Sequence, residues 1–235
     1  MSTYRALKGY NIKKVSSNPA NPQEGQIWYN STTSRLKVQQ SLAGAWESAN
    51  AKLRLSEGPA TIGSKVGMVA VGGYSPGGHT AAVDEYNGTT YSVATNYPTT
   101  VYAGGGHGTL TAGLIAGGNQ SGATYKNESY TYDGSSWTAV SSLNTATYES
   151  GWATQGDGAT RALIFGGNDA PARPTTQFWD GTSWTEINDI STGRSACGSF
   201  GCVNNSVYAG GTPPTTAATE EWSASDFVNK TVTTS

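Results

Sequence analysis

One spacing constrains this chain more than any other property. A pair of glycines closes an apolar run four times, at Gly72-Gly73, Gly117-Gly118, Gly166-Gly167 and Gly210-Gly211, at intervals of 45, 49 and 44 residues. A second landmark runs in the same phase. An aromatic residue, a polar turn with Asn-Gly or Asp-Gly, and a second aromatic occur at Tyr86 and Tyr91, Tyr132 and Trp137, and Trp179 and Trp184, with a worn copy from Trp222 to Phe227. The second aromatics stand 46, 47 and 43 residues apart. Two landmarks that share one period identify tandem structural units.

The chemistry of each unit reads as antiparallel strands. Asn-Gly and Asp-Gly supply the positive φ that tight hairpin turns need, and the flanking aromatics can pack on each other across the turn. A Gly/Ser/Ala-rich strand such as Ser195 to Val203 comes first, then an apolar strand ending in Gly-Gly, a variable loop and the aromatic hairpin. That makes four strands per unit. A helical repeat of this length needs apolar residues at i, i+3 and i+4, a pattern that is absent. Low charge (13%) and 31 glycines agree with short strands and many turns. No apolar run approaches the ~20 residues of a membrane-spanning helix, and no apolar segment follows Met1-Ser2-Thr3-Tyr4-Arg5 as a secretory signal requires.

The Gly-Gly followed by an aromatic, a turn and another aromatic resembles the kelch repeat over residues 57–235. The resemblance implies an all-β fold, a β-propeller of four-stranded blades at about 57–100, 101–145, 146–192 and 193–235. Departures are the early arginine, present only as Arg194, and the replacement of tryptophan by Tyr91 and Phe227. Trp46 lies 45 residues before Tyr91, in phase, so residues 1–56 read as a degenerate first blade of a five-bladed propeller closed by pairing of the chain ends. The alternative is four blades plus a small N-terminal attachment module. Gly25-Gln26-Ile27-Trp28-Tyr29-Asn30-Ser31-Thr32-Thr33, with Leu36-Lys37-Val38 and Gly44-Ala45-Trp46, resembles a segment of bacteriophage tail and virion structural proteins. Expected strands there are Gln26 to Asn30, Arg35 to Gln40 and a piece around Trp46.

Charge is uneven. Residues 1–56 carry eight Lys and Arg against Glu24 and Glu47, a net +6, whereas the remainder is −8. Such asymmetry suits a docking segment. The basic residues stand singly, so nucleic acid is not an expected partner.

The sequence is poor in catalytic and metal-binding patterns. His79 and His107 read as residues of Gly-rich loops, too few for a metal site. Cys197 and Cys202, five apart on a strand, face opposite ways and read as separate thiols. GxSxG, HExxH and P-loop patterns are absent. No catalytic residue, metal or cofactor is assigned. The loops after the Gly-Gly pairs are the most varied parts of the units and carry rings and amides suited to recognition: Tyr74 and His79, Asn119 and Tyr125, and Asn168, Asp169 and Arg173, with His107 as a further candidate. The expected function is a non-enzymatic phage tail or decoration protein, made in the bacterial host cytoplasm and carried on the virion. It would dock on other virion proteins through residues 1–56, contact a host-surface glycan or protein through its loops, and be open to homo-oligomerisation. A sugar-binding propeller lectin and a glycan-acting propeller enzyme are the alternatives.

Overall fold

The computed structural model describes residues 12–21, 23, 25–38, 48–121, 124–154 and 158–224. The fold is all-β, with a single 3-10 turn at Gly158–Thr160 among the described residues. The chain divides into two compact units, Met1–Ser48 and Ala49–Ser235.

In the first unit, β1 (Lys13–Val15) runs parallel to β2 (Ile27–Asn30), which forms a hairpin with β3 (Arg35–Val38). Asn30 closes the hairpin turn: its Oδ1 accepts from Thr32 N and Thr33 N, both at 3.0 Å. Trp28 and Asn30 are buried on one face, where Asn18 Oδ1 accepts from Trp28 Nε1 (3.4 Å) and Asn30 Nδ2 (2.9 Å). The opposite face presents Ile27, Leu36 and Val38 to solvent. Two expected strands are therefore present. The parallel pairing differs from the antiparallel order of a blade, and the third expected strand, with Trp46, lies outside the described residues.

In the second unit the repeats are meanders. The first consists of β4 (Ala60–Ser64), β5 (Gly67–Val71), β8 (Val83–Tyr86) and β9 (Tyr91–Val93), with a small hairpin, β6 (Tyr74–Ser75) and β7 (Gly78–His79), between its second and third strands. The second has β10 (Gly105–Thr109), β11 (Ala112–Ala116), β14 (Ser129–Tyr132) and β15 (Trp137–Val140), and its small hairpin is β12 (Asn119–Gln120) and β13 (Thr124–Tyr125). The third contains β16 (Gly151–Trp152), β17 (Ala162–Phe165), β18 (Thr176–Trp179) and β19 (Trp184–Ile187). The last has three described strands, β20 (Gly198–Cys202), β21 (Asn205–Ala209) and β22 (Thr219–Ser223). The strand expected around Phe227, and any pairing of the chain ends, lie outside the described residues.

The aromatic hairpins form as the sequence suggests. Tyr86 pairs with Tyr91, Tyr132 with Trp137 and Trp179 with Trp184, with ring centroids 4.8, 4.4 and 5.4 Å apart. In each turn the Asx side chain caps two backbone amides; Asp133 Oδ1 accepts from Ser135 N and Ser136 N, and Asp180 Oδ1 from Thr182 N and Ser183 N, all at 2.8 Å. Those bonds, led by the Ser136 and Ser183 amides, hold both carboxyls below the usual range.

The apolar cores lie between repeats. Ile62, Val69 and Val83 of the first pack with Ile115 and Tyr132 of the second; Leu114 meets Ile164 and Trp179 of the third; Leu163 and Phe165 meet Tyr208 of the last. No repeat buries its apolar faces alone, which is the condition of a nearest-neighbour array. Trp179 and Trp184 are buried core residues, whereas Trp137 is half-buried and donates to Thr95 O at 3.0 Å.

A backbone device stitches one repeat to the next. Gly58, Ala103, Glu149 and Ala196 occupy equivalent positions and all adopt left-handed backbone, with φ of 55°, 49°, 53° and 52°. Each later residue donates its N–H to the carbonyl of its equivalent in the previous repeat: Ala103 to Gly58 (2.9 Å), Glu149 to Ala103 (3.0 Å) and Ala196 to Glu149 (3.0 Å). The Gly-Gly pairs belong to the same device. Gly73 N donates to Val101 O, Gly118 N to Thr147 O and Gly167 N to Arg194 O, at 2.7, 2.7 and 2.9 Å. A Cβ at Gly117 would lie 2.5 Å from Thr147 O, so glycine is required by close approach as well as by its φ of 67°.

Candidate functional site

The residue before each left-handed position is extended and exchanges two backbone hydrogen bonds with the residue after the Gly-Gly pair. Glu57 faces Tyr74, Tyr102 faces Asn119, Tyr148 faces Asn168 and Ser195 faces Thr212. The entry to each repeat and its variable loop thus come together at one end of the strands, and the small hairpins add side chains to the same row.

From the first repeat to the entry of the third the row is aromatic. Tyr74, His79 and Tyr102 form a mutual edge-to-face cluster with centroid distances of 5.4, 5.5 and 6.4 Å. Tyr125 and Tyr148 stack in parallel at 5.0 Å with a 4° interplanar angle. Asn168 Nδ2 donates to Tyr148 Oη at 3.3 Å. Burial, and then the Glu149 charge beside it, raise the Tyr148 phenol above its ordinary range, so it stays a neutral donor and acceptor at physiological pH. Asn119 Oδ1 is buried in the row without a hydrogen-bond partner among the described residues. Arg173 and Asp169 close on each other at 2.6 Å. Tyr74 is exposed and borders a shallow groove lined by Leu55, Glu57 and Pro76.

Seven of the eight candidate residues therefore sit on the Gly-Gly end: Tyr74, His79, Asn119, Tyr125, Asn168, Asp169 and Arg173. His107 does not. It lies within β10, 1% exposed, with Nδ1–H donating to Ala153 O of the next repeat. The loop reading of Gly104 to Gly108 is corrected on physical grounds. A Cβ at Gly105 would fall 1.4 Å from Trp152 Nε1, and one at Gly106 2.5 Å from Thr61 O, so these glycines admit neighbouring repeats rather than slack. Tyr102 and Tyr148 were missed from sequence. The available signal was their phase, 46 residues apart and one step before the left-handed positions.

The row offers ring faces, amides and a phenol, which suit stacking and hydrogen bonding to a neutral polar ligand. Among the described residues no group of three His, Cys, Asp or Glu is gathered in a way that could hold a metal ion. Cys197 and Cys202 are free thiols.

The described basic residues of the N-terminal quarter divide in two. Lys52 and Arg54 belong to the second unit and clamp the buried Asp84 of β8 at 3.0 and 2.6 Å, so part of the charge asymmetry serves folding. Lys13, Lys14, Arg35 and Lys37 stand on the small first sheet. No protein-family model matches the chain, and no curated protein matches it.

Proposed function

We propose that the chain is a non-enzymatic adhesion module of a bacteriophage particle. In this reading its repeats are kelch-like propeller blades, and the row from Tyr74 to Asn168 contacts a host-surface glycan. The observation that carries the reading is the row itself. Rings from three successive repeats, flanked by Asn119 and Asn168, give a surface on which sugar rings can stack and hydroxyls can be held. The sheet of residues 12–38 takes the role of the attachment module, beside four blades rather than as a fifth. Its parallel first pair and its solvent-facing Ile27, Leu36 and Val38, set among Lys13, Lys14, Arg35 and Lys37, support docking onto another virion protein.

Binding of the purified full chain to a panel of bacterial surface polysaccharides tests the site. Tyr102→Ala and Tyr148→Ala are each expected to weaken the strongest interaction by up to about tenfold, the worth of one aromatic stack. Unchanged binding by both variants, with the fold intact, would remove the row from the proposal. Deletion of residues 1–25 is expected to abolish incorporation into particles, and unchanged incorporation would remove the docking role.

A further inference from the structure

The array of repeats has two unlike ends, and each carries half of a contact made inside it. Three residues before each Gly-Gly pair, Val69, Leu114 and Leu163 are all 0% exposed, whereas Val207 of the last repeat is 38% exposed. On the neighbouring strand Ile62 and His107 are 3% and 1% exposed, but Phe200 is 61% exposed. In the earlier repeats this face is covered by the repeat that follows: Ile62 reaches the position where a Gly113 Cβ would stand, 2.0 Å away, and His107 bonds to Ala153. In the last repeat Phe200, Val207 and Glu221 lie in register across β20, β21 and β22, and all three are exposed.

The opposite end is the complement. In the second and third repeats the first aromatic of the hairpin is buried against the repeat before it: Tyr132 is 2% and Trp179 1% exposed. Their equivalent in the first repeat, Tyr86, has no repeat ahead of it and is only half-buried. Tyr132 Oη donates to Glu85 of the first repeat. The equivalent of Glu85, one residue before the first aromatic, is Glu221 in the last repeat. The backbone ladder ends in the same way. Among the described residues Gly58 N–H reaches no acceptor and the Ala196 carbonyl receives no donor.

The interactions left open at one end thus have counterparts at the other, and the exposure of Phe200 and Val207 shows that the first repeat does not cover this face of the last. We propose that the chain associates head to tail with a second copy of itself. The half-buried Tyr86 edge of the first repeat covers Phe200 and Val207, Tyr86 Oη donates to Glu221, and Gly58 N–H donates to the Ala196 carbonyl of the neighbouring copy. The contact is heterologous, so it either closes as a ring of copies or continues as a chain.

The test is the solution mass of the full chain by light scattering across a dilution series. The expected result is a multiple of the single-chain mass, falling to one chain in Phe200→Asp without a change in the melting temperature of the diluted protein. Phe200 is exposed in the single chain, so that variant retains its fold. Reversing a charge gives a second readout: Glu221→Lys, which leaves Tyr86 Oη facing an ammonium instead of its carboxylate acceptor, is expected to shift the dilution midpoint to higher concentration, and Tyr86→Phe to shift it the same way by less. A single-chain mass throughout, an oligomer indifferent to Phe200→Asp, or an oligomer whose dilution midpoint is unmoved by both Glu221→Lys and Tyr86→Phe would each overturn the proposal.

Discussion

The first and third repeats solve one local problem with different chemistry. Two residues before the first hairpin aromatic, the third strand of each repeat meets the segment that enters that repeat. In the first repeat the position is Asp84, 1% exposed, gripped by Lys52 and by Arg54 through Nε at 2.9 Å. In the third it is Gln177, 2% exposed, whose Oε1 accepts from Asn144 N at 2.7 Å and Thr145 N at 3.3 Å while Nε2 donates to Thr145 O at 3.2 Å. The second repeat uses Tyr130, edge-on to Tyr97 at 5.0 Å, and the last uses Glu220 with Ser191 N and Arg194. The architecture demands that the entering segment be tied down there. It does not demand a particular means.

The largest effect is expected from breaking the charged solution. Asp84→Ala leaves two cations without their counter-ion, and because both reach solvent the expected loss is about 2–3 kcal/mol in denaturant unfolding, below that for a wholly buried pair. The substitution also changes the pH profile. Burial pushes the Asp84 carboxyl up, but hydrogen bonds and charge from Arg54 and Lys52 outweigh it and hold it below its ordinary value. A carboxyl lowered in the folded state contributes stability that is present above the unfolded pKa of about 4 and is lost as pH falls further. Stability limited to this group is therefore flat from neutrality down to that point, then declines, and Asp84→Ala should make the acid decline shallower. Glu220 keeps part of the decline in place, since the Ser191 amide and Arg194 overcome burial to lower its carboxyl as well.

Gln177→Leu comes next. It strands the two amides of Asn144 and Thr145 in a buried place, at a cost of about 1–3 kcal/mol, and leaves the acid decline unchanged. Equal pH profiles for the two variants would mean that Asp84 is not the titrating group. The smallest effect compares the left-handed positions. Glu149→Gly relieves a side chain held at φ 53° and is expected to raise stability by about 0.5 kcal/mol in thermal unfolding, after the greater freedom of glycine in the unfolded chain is subtracted. A loss of stability there would show that the Glu149 side chain, 3.4 Å from Ser195 Oγ, does more than fill space.

The repeat, the hairpins and the loops at the Gly-Gly end were legible because each depends on residue types with few physical alternatives. An Asp followed by Gly between two aromatics has few other places to go. Most of the candidate row followed from it. The left-handed ladder was hidden because three of its four residues are Ala103, Glu149 and Ala196, which announce nothing about φ. His107 was misplaced because glycine serves both slack loops and tight approach, and sequence does not separate the two. Lys52 and Arg54 were grouped with a docking segment by their position in the chain, although their partner, Asp84, lies some thirty residues on.

The ladder from Gly58 to Ala196 also has a polarity that bears on synthesis. Every rung places the acceptor on the earlier repeat and the donor on the later one, while the Gly-Gly amides donate the other way, from the earlier repeat to the later. A ribosome therefore delivers one complete half of each contact, a carbonyl and an amide, before the half that will meet it, and each emerging repeat finds its template already in place. The entropy of ordering is met one unit at a time rather than over the whole array at once.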